Sequence, residues 1–244
     1  MRILKITVAW ALTFLFAAFS LPDGAITGDE IVPDPAFCRV IIETPLYAQP
    51  YDTSGVVMRL EIGAVGEILR DISEEWYLLR VGDKVGWAPS GALRFDPDMP
   101  ANCIPLSRRY LESYVQDLES PTGWLVLTEI HRQTTHVFRH SGKWRLVRSM
   151  PCSTGKNTSP TTRGEFTLTG RGEWFYSERL GSGGRHWVRF NGTYLFHSVA
   201  MDRNKKVIDS TIGERASNGC VRLTELDAEW FYRTVPDGSA VLII

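Results

Sequence analysis

Residues 215–223 read RASNGCVRL, a cysteine preceded by glycine and followed two places on by arginine. A cysteine in that setting is a buried filler, half of a disulfide, a metal ligand or a nucleophile. An unperturbed thiol, with a pKa of about 8.5, is only a few per cent ionised at neutral pH. To act as a nucleophile it needs an imidazole, or N–H dipoles, that favour the anion. Five histidines are available: His131, His136, His140, His186 and His197. His197 closes the stretch GTYLFHS, where an apolar strand gives way to a polar segment, and reactive groups are often found where a rigid element hands over to a loop. Gly219 removes a side chain from the approach to Cys220 and permits unusual backbone angles. The amides of Gly219 and Cys220 can then face an oxyanion forming on an attacked carbonyl. Ser217 and Asn218 add short hydrogen-bonding groups, and Arg222 adds a fixed positive charge. Together these describe acyl transfer through a cysteine.

FHS at 196–198 with SNGCVRL at 217–223 resembles the active-site signature of the L,D-transpeptidases, the YkuD-type catalytic domain. The upstream CSTGKNTSPTTRGEFTLTGR, 152–171, is similar to the same family's block of STGK, then threonine-proline-threonine, glycine and phenylalanine. The resemblance spans about residues 123–244 in the right order. It implies a mostly β catalytic domain that joins peptidoglycan stem peptides by a 3→3 link. Carried over by position, Cys220 is the nucleophile, attacking as a thiolate, and His197 the general base and later acid. Gly219 and Cys220 supply the oxyanion hole. The backbone carbonyl of Ser198 holds the imidazole, a role in which its side chain matters little. Ser217 steadies the loop, and Arg222 holds either the loop or a substrate carboxylate.

The sequence departs from the family at two places. Asn218 stands where a histidine is usual, so that position keeps a hydrogen bond but cannot carry a proton. The proline–threonine block reads Ser159-Pro160-Thr161-Thr162-Arg163-Gly164. No metal or organic cofactor is implied, since nucleophile and base are both protein groups. Water in place of the acceptor amine would make the same site an L,D-carboxypeptidase. A non-catalytic wall-binding protein is the rival from another class, and the intact Cys220, His197 and Gly219 argue against it. The stretch between His197 and Cys220 is long enough to form a flap over a substrate.

The elements that must position these residues begin with a leader. Arg2 and Lys5 precede an apolar run from Ile6 to Phe19, and Ala18-Phe19-Ser20 gives a small-x-small cleavage pattern. The run is shorter than the roughly 20 residues that span a bilayer. The expectation is a signal peptide over 1–20, or an uncleaved N-terminal anchor, with the working protein exported to the periplasm or cell wall. Losing Arg2 and Lys5 and no acid moves the formal net charge from −1 to −3. That balance gives no electrostatic reason to expect nucleic acid or anionic lipid.

Residues 21–36, rich in Pro, Gly and acids, read as a linker. From 37 to 98, five or so short strands punctuated by turns at Gly82-Asp83 and Ser90-Gly91 read as a small antiparallel barrel. The segment resembles the bacterial SH3-like family through Gly63, Trp76-Tyr77, Gly86-Trp87 and Ser90 to Leu93; such modules usually serve as wall-binding or protein-binding attachments. Trp76 and Trp87 are expected in its core, ahead of a groove shared with Tyr47 and Tyr51. Residues 99–122 read as a helical connector, its helix over 107–118 capped by Ser107. From 123 to 244 the texture is again β, with hairpin turns at 141–143 and 191–192 and one late helix over 225–235, capped by Thr224. The fold class is thus mainly β: a small SH3-like barrel followed by a mostly β catalytic domain with one late helix.

Four cysteines allow three complete pairings. Cys38 and Cys103 bracket the barrel and are the expected disulfide. A Cys152–Cys220 bridge would switch the site off, and Cys152 reads better as a packed strand residue. The histidines at 131, 136 and 140 lack accompanying carboxylates or cysteines and read as solvated strand residues. His186 reads as a core-edge residue.

Overall fold

The computed structural model describes residues 30–102 and 104–244. The leader, most of the linker and Cys103 lie outside the described residues, and with them the Cys38–Cys103 pairing. Cys38 itself is buried, and its thiol donates to the carbonyl of Gly66.

Seven strands come first: β1 Ala36–Val40, β2 Thr44–Tyr47, β3 Val56–Leu60, β4 Val65–Ile72, β5 Trp76–Val81, β6 Lys84–Pro89 and β7 Leu93–Phe95. They pair in the order β3-β2-β6-β5-β4-β1-β7. The sequence pointed to five or so; β1 and β7, five and three residues long, pair with each other at one edge of the sheet. Alternation sends Leu46, Leu60, Ile68, Tyr77 and Leu79 into one core. Neither tryptophan expected in the core joins that cluster: Trp87 is buried beside it, with Arg70 over its ring. Trp76 is half-buried, edge-on to Tyr47.

The helix α1, Arg108–Tyr114, follows, and its first turn is closed by Ser107 Oγ accepting from the amide of Tyr110. It stops short of the expected 118: the last apolar positions, Val115 and Leu118, continue in a turn that still packs on the second sheet.

That second sheet is built from β8 Trp124–Glu129, β9 Thr134–Ser141, β10 Lys143–Ser153, β11 Gly164–Thr167, β12 Arg171–Ser177 and β13 Ser182–Asn191. It continues with β14 Tyr194–Ser198, β15 Ala200–Met201, β16 Val207–Asp209, β17 Val221–Leu223 and β18 Ala240–Ile243. The order is β11-β18-β8-β9-β10-β17-β14-β13-β15-β16, with β12 on β13. The hairpin turns at 141–143 and 191–192 fall between β9 and β10 and between β13 and β14, as read from sequence.

The late helix α2, Glu225–Thr234, is capped by Thr224 Oγ1, which accepts from the amide of Asp227. Glu225 and Asp227 in its first turn complement the helix dipole, and Arg148 on β10 pairs with Asp227 at 2.6 Å. Ala228 and Phe231 pack on Phe196, Val221 and Leu223, so the helix presses on the inner side of β14 and β17. On the opposite flank Leu111 and Val115 cover Leu125, Leu127 and Phe138.

The two sheets are joined by specific contacts. Tyr77 Oη donates to the carbonyl of Thr158 at 2.7 Å, and Ser159 Oγ to Asp71 Oδ1 at 2.7 Å. Arg163 pairs with Glu67. The segment ahead of β1 is no free tether: Asp34 holds Arg215 at 2.9 Å, and Ile31 packs beside Tyr110.

Candidate active site

β14 and β17 lie side by side and parallel, with Phe196 opposite Val221, His197 opposite Arg222 and Ser198 opposite Leu223. Phe196, Val221 and Leu223 are fully buried under α2. The alternating residues, His197 and Arg222, therefore share the other face, and half-buried Cys220 continues that face one step before β17. Standard strand spacings put the Cα atoms of His197 and Cys220 roughly 8 Å apart on the diagonal. The charge of Arg222 is felt at both groups.

The imidazole is fixed on every side. Its Nδ1 lies 2.6 Å from the carbonyl of Ser198. A carbonyl only accepts, so Nδ1 carries the hydrogen and Nε2 is left as the acceptor. Phe175 meets the ring edge-on at 4.9 Å. Gly184 lets the ring in, because a Cβ there would stand 2.5 Å from Nδ1. The Ser198 side chain has a task separate from that of its carbonyl. Its Oγ accepts from the amide of Arg185 at 2.9 Å and donates to the carbonyl of Val199 at 3.0 Å, tying β14 to β13.

The cysteine loop is held from behind. Ser217 Oγ donates to the carbonyl of Cys220 at 2.5 Å, and the Ser217 amide donates to the carbonyl of Thr154. Thr154 is in turn gripped by Gln133, whose Oε1 accepts from its amide at 2.7 Å and whose Nε2 donates to its hydroxyl at 2.8 Å. Gly219 has φ +94°, a left-handed angle that a side chain would strain, and Tyr194 fills the space where a Cβ would go. Asn218 stands half-buried between Ser217 and Gly219.

Electrostatics set the resting protonation. Burial pushes the Cys220 thiol up to about 11, against the pull of the Leu195 amide and Arg222. Burial, then the Arg222 charge, hold His197 down to about 4, with the Ser198 hydrogen bond acting the other way. At neutral pH both groups are uncharged. The thiol's hydrogen-bond partner is the carbonyl of Thr193, at 4.0 Å, rather than the imidazole. Burial penalises the separated charges of a thiolate–imidazolium pair and so favours a neutral pair at rest.

Arg222 Nη1 pairs with Asp209 Oδ2 at 2.5 Å. Asp209 ends β16, so of the two tasks expected of Arg222, its charge is engaged in holding the segment between His197 and Cys220. That segment is anchored further by Arg203 over Tyr176 and Lys205 over Trp174. Sequence reading missed Tyr194, Phe175, Gly184, Asp209 and Gln133. The doubled glycine at 183–184 was the one local signal among them, since adjacent glycines mark a close approach of another group.

Cys152 and Cys220 are both free, and Cys152 is a packed strand residue in the core, its thiol pushed up to about 12 by burial. His136 is not solvated. It is buried, with Nε2 2.8 Å from Glu129 Oε1 and Nδ1 2.8 Å from Ser149 Oγ, and Arg132 completes the cluster on Glu129. Among the described residues no group of His, Cys, Asp and Glu is arranged to hold a metal. No helix among them is long and apolar enough to cross a membrane.

The model of the L,D-transpeptidase catalytic domain, YkuD, matches residues 119–243, just over half of the chain. The chain belongs to this family. A Bacillus subtilis (strain 168) protein named as an L,D-transpeptidase, YciB, is 45% identical over 78 residues, 30% of this chain and 40% of that relative. A solved structure of a fused Zn-dependent amidase/peptidase/peptidoglycan-binding domain-containing protein from Clostridium acetobutylicum ATCC 824 is 28% identical, with a TM-score of 0.48. The match covers 56% of this chain and 59% of that one. An L,D-transpeptidase from Stackebrandtia nassauensis is 21% identical with a TM-score of 0.43, over 56% of this chain and 62% of that one. This chain thus covers less than two thirds of each of these three relatives.

Proposed function

We propose that the protein is an exported L,D-transpeptidase that forms 3→3 cross-links between peptidoglycan stem peptides through a thioester on Cys220. The observation that supports this reading is the register of β14 and β17, which sets His197 opposite Arg222, two residues beyond Cys220, with the His197 Nδ1 engaged by the Ser198 carbonyl and Nε2 left as the acceptor.

The Cys220 sulfur attacks the carbonyl of the third residue, a diamino acid such as meso-diaminopimelate, in a donor tetrapeptide. As the S–C bond forms, the thiol proton moves to Nε2. The amides of Gly219 and Cys220 face the oxyanion. Collapse breaks the C–N bond, and the departing D-alanine amine takes the proton from His197. A side-chain amine of a second stem peptide then gives a proton to Nε2 and attacks the thioester. A new amide forms, and the sulfur leaves with the proton returned to it.

A neutral resting pair suits this sequence, because proton and sulfur move together and no ion pair has to be maintained in a buried site. Ser217 steadies the loop, Asn218 and Arg222 border the substrate, and the segment carrying Asp209 acts as a flap. The sheet within 37–98 serves as an SH3-like attachment to the wall, and 99–122 as the connector to the catalytic domain over 123–244.

Mass spectrometry of products from a stem tetrapeptide, with and without an acceptor, tests the reading. A cross-linked dimer is expected, and it should vanish in Cys220→Ala. Tripeptide alone would make the protein an L,D-carboxypeptidase, and no product with no carbapenem adduct on Cys220 would remove the enzyme reading.

A further inference from the structure

A cavity of about 300 Å³ opens along the seam between the two sheets. One wall is β4, where the register slips between Ile68 and Arg70, so that Glu67 through Arg70 all reach it. Bulges of this kind re-aim side chains. The other wall is the Pro160–Arg163 stretch, with Arg215 from the cysteine loop closing one end.

The charge on these walls is unbalanced. Arg70, Arg80, Arg163 and Arg215 face two carboxylates, Asp34 and Glu67. Glu67 is shared by Arg80 and Arg163, and Asp34 holds Arg215, whose side chain is 4% exposed. Arg70 has no carboxylate among the described residues and lies over Trp87. The acid next to it in sequence, Asp71, is taken by Ser159 Oγ and the amide of Glu74. Two positive charges are therefore left over at this concave site, where Arg70 is exposed and Arg215 is buried. The two carboxylates already seated there show that its arginines are spaced to take such groups.

Tyr194 links the cavity's surroundings to the cysteine loop: it feels Thr162 and Arg70, which line the cavity, as well as Cys220, and its ring is packed on Gly219. We propose that this cavity is a second ligand site, which takes a carboxylate of a peptide lying across the seam, with Arg70 as its free anchor. The inference relies on the proposed function only in identifying the peptide as a stem peptide. It makes the N-terminal sheet a part of the binding site rather than a remote attachment.

The test is calorimetric titration of the Cys220→Ala protein, which cannot turn over. The probe is L-Ala–γ-D-Glu–meso-diaminopimelyl–D-Ala with free carboxylates, beside the same peptide amidated at every carboxyl. Arg70→Met should bind the free-carboxylate peptide about tenfold more weakly and leave the amidated peptide unchanged. Glu67→Gln, which releases Arg80 and Arg163, should bind the free-carboxylate peptide severalfold more tightly, with thermal midpoints confirming that both variants fold. Equal binding by Arg70→Met and its parent, or an equal loss for both peptides, overturns the site. Tighter, Arg70-dependent binding of a poly(glycerol phosphate) oligomer overturns the peptide assignment. A carbapenem adduct on the native protein with no Arg70 effect sinks this inference alone; an Arg70 effect with no adduct keeps it and sinks the acyl-transfer reading.

Discussion

The ring of Tyr194 occupies the space that a side chain at Gly219 would need: a Cβ there would stand 2.2 Å from Cε1 of the tyrosine. Gly219 is thus required twice, by its left-handed backbone and by an aromatic wall. Gly219→Ala should move the loop and misaim the amides of 219 and 220. Acylation of Cys220 by a carbapenem, followed by intact-protein mass spectrometry, should slow about 100-fold or more. Tyr194→Ala combined with Gly219→Ala should recover only part of the loss, since the backbone strain remains.

The neutral resting pair predicts how the thiol reacts. With Cys220 pushed up to about 11, its alkylation by iodoacetamide should climb steadily from pH 6 through pH 9 without a plateau. Peptide mapping would separate it from the buried Cys38 and Cys152. A plateau already reached near pH 7 would mean a standing thiolate–imidazolium pair and would overturn the protonation assigned here.

His197 links stability to acid. Its pKa is lowered from 6.5 to about 4 in the fold, so between those values the unfolded chain binds more protons. Stability from this group is fully present above pH 6.5, declines as the pH falls, and levels off below about 4. The total is about 3 kcal/mol. Urea unfolding at pH 7, 5.5 and 4.5 should show that decline, and His197→Gln should flatten it.

The pair between Arg222 and Asp209 joins the segment between His197 and Cys220 to β17. Asp209→Asn should raise KM for a stem tetrapeptide about fivefold, in line with a partly exposed ion pair. Turnover at saturation should change less, because Asp209 bonds to neither Cys220 nor His197.

Ser198→Ala removes the hydroxyl that accepts from the Arg185 amide and leaves that buried donor unpaired. A loss of about 1–3 kcal/mol in unfolding free energy is expected. The backbone carbonyl that holds His197 is untouched, so carbapenem acylation should persist in the folded fraction.

Much of the catalytic sheet was legible because its signals are local. Asn191-Gly192 marked one hairpin, Ser141-Gly142-Lys143 another, and Thr224 with its acidic neighbours marked α2. Cys220 and His197 could be singled out because each stands at a change of texture. What escaped was set by packing across distant segments. Nothing near residue 194 announces that its ring will wall off Gly219, and nothing near 133 shows that a buried glutamine will grip Thr154. His136 looked solvated because its partners, Glu129 and Ser149, lie on neighbouring strands. The neutral state of the thiol was equally hidden, since desolvation depends on everything that surrounds a group and not on its flanking residues.

The clasp between Asp34 and Arg215 spans 181 positions of the chain. Contacts so remote in sequence tend to close late, after nearer ones have removed most of the freedom of the polypeptide. The loop bearing Cys220 would then be completed only when the two halves of the molecule have found each other. An unfinished molecule would hold that loop by its nearer bonds, from Ser217 to Cys220 and to Thr154, and lack the tie to residue 34.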